Sequence, residues 1–430
     1  ATATASTEFH DDRWVGVVEA GADYAIASEV GNRRRPRGAH TLRQVATILG
    51  KLGLQLVEAG RLDLAVPAAR YWPEFASHGK GAITVGQLLA HSSGLRADLD
   101  LAPAWSGRRA ALQRILAEKL VSEPGSQVLY SDINFEVLGE LVERVSGERL
   151  DRYCLNHVFA PLGMKDTRFL PPDAWRERIA PTGFLDGQLR RGEVHDPSAW
   201  RMGGVAGHAG LFSTADDLAR FAQALLSHGA LAGHRLLKPE TVAKLIQPML
   251  IAEPPLRGPG WRLEPPLVAN REELPAIGAM SHYGYTGTAL WIDPVTDLFV
   301  VALSNRVHPD GRGDAKELRW RLIAHLAAAQ GPLTFVEVAA RQPALAPLAG
   351  TAVMRVAPYA SGLDVLAGQD FAPLAGLRVG LITNQTGVDG QGRSAVELLR
   401  QAPGVKLAAI FSPERVDPGN KTYKTENTPK

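Results

Sequence analysis

The change of hydrophobic period along the chain is the feature that most constrains its fold. Apolar residues recur at the spacing of an amphipathic helix in four segments, residues 44–59, 133–145, 216–227 and 316–328. Short apolar runs typical of strands occupy residues 14–18, 24–30, 289–292 and 298–304. Because strands lie at both ends of this region and helices lie between them, we predict an α+β domain. Its antiparallel sheet is built from both ends of the domain and flanked by helices, with a helical subdomain inserted.

The N-terminal strand pattern also suggests a local pairing. Residues 14–18 and 24–30 are separated by the turn-forming segment Glu19-Ala20-Gly21-Ala22-Asp23. This arrangement predicts a hairpin.

The length of 430 residues exceeds one ordinary core of about 100–200 residues, so we expect more than one unit. We assign residues 12–330 to a first domain and the Ala/Pro/Val-rich residues 331–358 to a linker. Residues 359–416 show the strand, helix, strand pattern of a partial α/β unit with one βαβ element. The polar residues 417–430 predict an unstructured tail.

The charge composition limits the classes of partner. Lys and Arg together number 47 and Asp and Glu 45, which gives a net charge of +2. Such a balance creates no general field that would attract nucleic acid or an anionic membrane. No run of about 18 apolar residues occurs, so no membrane span is expected. The first residues lack the basic start and apolar segment of a signal peptide, which leaves the compartment open.

The single cysteine, Cys154, cannot form an intramolecular disulfide, and a thiolate zinc cluster is not expected. Its place in the segment Leu150-Asp151-Arg152-Tyr153-Cys154-Leu155 predicts a small buried residue on a helix rather than a nucleophile. His195, Asp196 and His208 could be metal ligands, but the H-E-x-x-H spacing is missing, and hydrogen bonds within a loop are favoured. We therefore expect no metal ion and no other cofactor.

Three short motifs, far apart in the chain, point to one kind of chemistry. They are His91-Ser92-Ser93-Gly94-Leu95, Tyr130-Ser131-Asp132 and His282-Tyr283-Gly284-Tyr285-Thr286-Gly287-Thr288. Together they resemble the serine β-lactamases and penicillin-binding-protein-like hydrolases, particularly the class C-like branch that includes family VIII carboxylesterases. The likeness covers about residues 12–330 and includes the glycine-rich residues 203–214. Members of this family are often periplasmic or secreted.

The resemblance implies acyl transfer from a small-molecule ester, or from a β-lactam or another amide, through a covalent acyl-enzyme. The family uses a nucleophilic Ser followed three residues later by Lys on a central helix. At that place this chain has Thr47 and, four residues later, Lys51. The resemblance thus implies Thr47 as nucleophile, Lys51 as its activator, and Tyr130 as general base and proton shuttle. It implies substrate-binding roles for four further residues, Asp132, His282, Gly284 and Tyr285.

The altered motif leaves alternatives open. Residues four apart are neighbours on a helix, so Thr47 and Lys51 can act together, but they also belong to the polar face that any amphipathic helix shows. The chain could be a descendant that binds peptidoglycan fragments or a partner without turnover. Ser77-His78-Gly79-Lys80 matches S-x-x-K literally, yet it falls in a glycine-containing loop, and coincidence is favoured. The oligomeric state is also open.

The C-terminal part resembles a second family. Residues 362–414 are similar to the start of the exo-acting N-acetylmuramidase domain that is sometimes fused behind such hydrolases. Where that family continues Glu-His-Gly, this chain has Glu414-Arg415-Val416, so a glycosidase site with two carboxylates cannot be assembled. We expect an inert remnant.

Overall fold

The computed structural model of the chain divides into two compact units, Ala1–Ala346 and Pro347–Lys430. The residues it describes are 6–10, 13–19, 40–42, 53–185, 187–249, 256–341, 362–382 and 393–411. Thr47 and Lys51 lie outside these ranges. Within them, no helix has the length and apolar character needed to cross a bilayer.

The described residues of the first unit form a seven-stranded sheet. Its spatial order is β1 (Ser6–His10), β2 (Arg13–Glu19), β14 (Leu298–Leu303), β13 (Ala289–Asp293), β12 (Ala279–Tyr283), β11 (Trp261–Glu264) and β10 (Arg257–Gly258). Neighbouring strands are antiparallel except β2 and β14, which run parallel. The α+β architecture with a sheet built from both ends of the domain is confirmed.

The predicted hairpin between residues 14–18 and 24–30 is wrong. β2 pairs with β1 along one edge and with β14 along the other, so both of its edges are occupied. Residues 24–30 lie outside the described residues. The apolar period identified a strand at residues 14–18 correctly, but a period carries no information about the partner of a strand.

The described helices of the first unit lie mainly between β2 and β10 in the chain. They are α1 (residues 53–58), α2 (Val85–Leu89), α3 (Arg108–Ala117), α4 (Asp132–Ser146), α5 (Leu150–Cys154), α6 (Pro197–Arg201), α7 (Ala215–Leu226), α8 (Pro239–Lys244), α9 (Lys316–Ala329) and α10 (Phe335–Arg341). Short 3-10 segments are Ala68–Arg70, Pro73–Ala82, Asp173–Arg178 and Arg271–Glu273, and a π-helical turn covers Leu155–Phe159.

Helices cover both faces of the central strands. Every residue of β13 and β14 is buried, which is the pattern of strands covered on two sides. Trp291 and Val300 pack with Ile323 of α9 on one face, while α7 contacts β14 and β13. Since side chains alternate along a strand, the remaining apolar residues of β13 and β14 face the side opposite α9.

Helix α4 is the buried centre of the helical subdomain. All residues from Asp132 to Val142 are buried, so this part of the helix is enclosed on every side. It ends at Gly147, whose φ of 77° provides the left-handed C-terminal cap. Ser131 is the N-cap residue, but its Oγ donates to the Arg96 carbonyl at 2.6 Å and makes no capping bond.

The first unit also contains smaller sheets. β3 (His40–Leu42), β7 (Leu211–Ser213) and β4 (Arg168–Phe169) form one sheet in that order. Two short hairpins are β5 (Phe184–Leu185) with β6 (Gln188–Leu189) and β8 (Ala230–Leu231) with β9 (His234–Arg235).

The described part of the second unit contains one βαβ element. Strands β15 (Arg378–Ile382) and β16 (Lys406–Phe411) run parallel, and helix α12 (Ala395–Gln401) lies between them in the chain. Helix α11 (Gly362–Gly368) and the 3-10 turn Ala372–Leu374 precede them. Phe371, Leu398 and Leu399 belong to a separate core cluster of this unit.

Gly94 and Gly147 allow a test of the close approach between Gly94 and Ser122. Both glycines have positive φ, 78° and 77°. A Cβ at Gly94 would overlap the Ser122 carbonyl oxygen, whereas one at Gly147 would meet nothing within 4 Å. We expect Gly94→Ala to lower the free energy of unfolding by about 3 kcal/mol or more, and Gly147→Ala by about 1 kcal/mol. Urea denaturation checks this, and equal losses would contradict the close approach.

Candidate active site

Tyr130 is exposed at the residue before the N-cap of α4, between a buried imidazole and a guanidinium. Its residue surface is 39 % exposed. The ring stacks on His91 with 4.3 Å between centroids. The Arg257 Cζ lies 5.5 Å from the Tyr130 ring centroid, within the range of a cation–π interaction. Aromatic and cationic contacts with its ring thus hold the Tyr130 side chain in place, while part of the residue surface remains accessible.

The imidazole of His91, which stacks on Tyr130, is neutral. Burial lowers the pKa of His91 well below its usual value, and the charges of Arg257 and His282 lower it further. The unprotonated Nδ1 can therefore accept a hydrogen bond, and it accepts one from the Ser131 N–H at 3.0 Å. The sequence motif included His91 but gave it no role, and no sequence signal pointed to Arg257.

Backbone hydrogen bonds lock the Tyr130 segment against the loop of residues 91–97. The Leu129 N–H donates to the His91 carbonyl at 2.8 Å, and the Asp132 N–H donates to the Ala97 carbonyl at 2.7 Å. Since these bonds lie on both sides of Tyr130, its backbone is fixed before any substrate binds.

The end of β12 supplies a second wall. His282 is buried, with 3 % of its surface exposed, whereas Tyr285 is 48 % exposed. Gly284 cannot be replaced by a larger residue without displacing Thr288, because a Cβ would overlap Thr288 Oγ1. Arg306 fixes the turn by donating to the Tyr285 carbonyl at 2.9 Å and stacking 4.5 Å from the Tyr285 ring centroid.

The two walls share one cavity of about 540 Å³. Tyr130, Gly284 and Tyr285 line it together with Lys316 and Arg319. The structure thus brings together three residues that the sequence selected. Asp132 and His282 are each only 3 % exposed and do not belong to the described lining.

Comparison with known proteins places this architecture in a family. The model of the beta-lactamase family matches residues 47–325, which is more than half of the chain. The chain belongs to the beta-lactamase family.

Its relatives in the family include a putative D-alanyl-D-alanine carboxypeptidase of Escherichia coli (strain K12), 32 % identical over 294 residues. This match covers 59 % of the chain and 65 % of the relative, so the chain spans just under two thirds of that protein. A penicillin-binding protein homologue from Caulobacter crescentus has a similar fold, with a TM-score of 0.52 at 22 % identity, covering 74 % of this chain and 87 % of that one. A family VIII carboxylesterase gives a TM-score of 0.52 at 22 % identity, covering 69 % and 86 %.

Asp132 belongs to a buried polar cluster in this beta-lactamase-family domain. Ligand atoms of Asp132, Asp196 and His208 lie within 4.8 Å of one another and could hold a metal ion. The Nε2 of His208 lies 2.9 Å from Asp196 Oδ1, so the loop hydrogen bond favoured from the sequence is present. Ser198 Oγ donates to the same Asp196 oxygen at 2.7 Å. Glu136 Oε1 lies 3.5 Å from His208 Nδ1.

Opposite effects set the charges in this cluster. Burial alone would lower the pKa of His208, but Asp196, by its charge and hydrogen bond, and the charges of Asp132 and Glu136 raise it to about 10. Burial raises the pKa of Glu136 to about 7 against the attraction of His208. His208 therefore carries a positive charge near neutral pH.

Cys154 is buried. Burial raises the pKa of its thiol, which disfavours the reactive thiolate. The interpretation of Cys154 as a small buried residue thus agrees with its surroundings.

The literal S-x-x-K match at Ser77 and Lys80 has a structural role. Ser77 Oγ donates to the Leu116 carbonyl at 2.7 Å, while the fully buried Lys80 donates to the carbonyls of Leu116 and Glu118 at 2.9 and 2.6 Å. The intervening His78 and Gly79 have positive φ of 55° and 81°. The pair therefore does not lie on one regular helix, and its donors are used to hold the C-terminal end of α3.

Lys80→Met tests this assignment. Removing the ammonium leaves the carbonyls at the end of α3 without a buried donor, so we expect the free energy of unfolding to fall by about 2 kcal/mol. The exposed Lys119 provides the control, since Lys119→Met should change it by about 0.5 kcal/mol or less. Urea denaturation measures both. A Lys80→Met protein of normal stability that had lost acyl transfer would instead assign Lys80 to the chemistry.

Proposed function

We propose that the chain catalyses acyl transfer of the serine-hydrolase type, cleaving a carboxylic ester or an amide through a covalent acyl-enzyme. The observation that carries this proposal is the position of Tyr130. Its ring is accessible at the cavity and rests on neutral His91. Gly284 and Tyr285 line the same cavity. Membership of the beta-lactamase family and its hydrolase relatives support the same class of reaction.

In the proposed first step, Thr47 Oγ1 attacks the substrate carbonyl carbon. Tyr130, assisted by Lys51, accepts the hydroxyl proton and delivers it to the leaving group as the bond to that group breaks. The backbone N–H groups of Thr47 and Tyr285 would stabilise the oxyanion, with about 2.7–4 kcal/mol per donor. Water then attacks the ester on Thr47 and restores the hydroxyl.

His282 has an indirect role in this proposal. The family places a basic residue at this position of the strand, and His282 is buried within range to influence the pKa of His91. We assign it to the electrostatics around Tyr130. Asp132, also buried, would support the site through the start of α4 and not by touching substrate.

The substrate we propose carries a free carboxylate near the scissile bond. Arg306, Lys316 and Arg319 contribute three cationic side chains to the cavity, against one carboxylate from Asp314. A peptide ending in D-alanyl-D-alanine, as the names of the relatives suggest, fits this charge. A short-chain ester remains within the proposed chemistry, and hydrolysis rates on the two classes distinguish them.

A second candidate function is binding without turnover, for example of peptidoglycan fragments. The observation that favours it is the replacement of S-x-x-K by Thr47 and Lys51. We also propose that the second unit is related to the start of an N-acetylmuramidase domain. We assign that unit no chemistry. Burst release of p-nitrophenol from an activated ester separates enzyme from binder, because a binder gives neither a burst nor a steady rate.

Tyr130→Phe tests the general base. Loss of the phenolic hydroxyl should lower turnover of a p-nitrophenyl ester by about 10²–10⁴-fold, while the ring remains to stack on His91. Tyr71→Phe is the matched control, because the Tyr71 hydroxyl accepts a hydrogen bond from the Asp63 N–H at 2.9 Å, outside the cavity lining. Unchanged turnover in Tyr130→Phe would remove Tyr130 from the mechanism.

Thr47 substitutions test the nucleophile. Thr47→Ser keeps the hydroxyl and removes one methyl, so acylation should be preserved or faster. Thr47→Val is nearly isosteric but has no hydroxyl and should form no adduct with a fluorophosphonate, as read by intact mass. An adduct on the Val variant would exclude Thr47. Absence of an adduct on both wild type and Thr47→Ser would favour the binding protein.

A further inference from the structure

A buried cluster of four ionisable side chains lies directly behind the Tyr130 segment. We define the acid–imidazole cluster as Asp132, Glu136, Asp196 and His208. All four residues are buried. The side chains of Glu136 and His208 are each 1 % exposed. The proposed acyl transfer assigns no role to Glu136, Asp196 or His208.

Two parts of the chain contribute to the cluster. Asp132 and Glu136 are four residues apart on α4, so they lie on one helix face. Asp196 is the N-cap of α6 and accepts from the Ala199 N–H, and His208 lies between α6 and β7. The two parts lie close together at Gly139 of α4 and Gly207. A Cβ added to Gly139 would lie only 3.3 Å from Gly207 Cα.

Two polar groups of the cluster point into it without hydrogen-bond partners. Among the described residues, neither carboxylate oxygen of Glu136 has such a partner, nor does His208 Nδ1. Glu136 Oε1 and His208 Nδ1 lie 3.5 Å apart. Buried polar atoms without partners are costly and rare, so their presence here calls for an explanation.

The cluster concentrates negative charge. Asp132, Glu136 and Asp196 place three buried carboxyl groups around one imidazole. A cation bound among these groups would be attracted by their negative charge.

We propose that Asp132, Asp196 and His208 bind a divalent transition-metal ion, Zn²⁺ or Mn²⁺. Two carboxylates and an imidazole form a mixed oxygen and nitrogen set that suits such ions. The Nε2 of His208 faces Asp196 and its Nδ1 faces Glu136. With the metal on the Nε2 side, the ion would displace the Nε2 proton of His208 to solvent. His208 would keep its Nδ1 proton and donate it to Glu136, which is the carboxylate–imidazole–metal arrangement that orients ligating histidines.

The bound ion would have a structural consequence. It would join the segment between α6 and β7 to the first residue of α4, two residues after Tyr130. Ser198 Oγ, 3.1 Å from His208 Nε2, lies on the same side of the imidazole as Asp196. The inference concerns these residues alone and does not depend on the acyl transfer proposed above.

The first experiment measures binding by the full chain. The protein is stripped with EDTA, dialysed, and incubated separately with Zn²⁺, Mn²⁺ and Mg²⁺ before gel filtration and elemental analysis. We expect about one Zn²⁺ or Mn²⁺ per chain, little Mg²⁺, and a saturable rise of about 5 °C in the melting temperature. No retained ion together with an unchanged melting temperature would overturn the proposal.

Variants locate the ion. Asp196→Asn should abolish retention of the metal, and Glu136→Gln should weaken its affinity by about 10–100-fold. Glu140→Gln is the control on the same helix, because Glu140 pairs with Arg108 and Arg144 outside the cluster, and it should bind metal as wild type does. Equal retention by wild type and Asp196→Asn would place the metal elsewhere and overturn the assignment.

A spectroscopic probe keeps the proposal testable if Asp196→Asn does not fold. Co²⁺ added to the stripped wild type should give visible d–d absorption that one equivalent of Zn²⁺ removes. Glu136→Gln, which keeps the size of the side chain, should shift the Co²⁺ titration to higher concentration. A wild-type spectrum identical to that of aqueous Co²⁺ would contradict an inner-sphere site.

Discussion

The burial of residues 132–142 of helix α4 is the constraint on which the cavity depends. Because residues 132–142 are enclosed on all sides, the start of this helix cannot move without opening the core of the helical subdomain. Tyr130 lies two residues before Asp132, and hydrogen bonds to His91 and Ala97 fix the intervening backbone. The rigidity of the core is thereby transmitted to the one accessible side chain of the Tyr130-Ser131-Asp132 motif.

Charges of opposite sign flank the start of α4 and stabilise different states of two histidines. On the cavity side, burial and then the charge of Arg257 lower the pKa of His91 and keep it neutral, so its Nδ1 remains an acceptor for the Ser131 N–H. Protonation would convert that nitrogen into a donor and break the bond. On the buried side, Asp196 holds His208 in the charged form. The same residue type therefore supports the site in two ways, and the neighbouring charges decide which.

Much of the fold could be predicted from local pattern, and much of the site could not. Helix α4 was found from the helical spacing of its apolar residues, and strands β13 and β14 were found from short apolar runs. Tyr130, Gly284 and Tyr285 were selected from motifs, and the structure places them around one cavity. The contact of Arg257 with Tyr130 joins residues more than one hundred positions apart, and no local pattern encodes such a pairing. The partner of β2 was missed for the same reason.

The two serine motifs show why a literal match overcounts functional residues. In Tyr130-Ser131-Asp132, only Tyr130 is exposed, because Ser131 Oγ is used on the Arg96 carbonyl and Asp132 belongs to the acid–imidazole cluster. In Ser77-His78-Gly79-Lys80, the donors of Ser77 and Lys80 are used on carbonyls at the end of α3. A hydroxyl or ammonium can serve catalysis only when its hydrogen bonds leave it available to substrate. Availability depends on tertiary contacts, so residue type and spacing restrict the candidates while the packed structure selects among them.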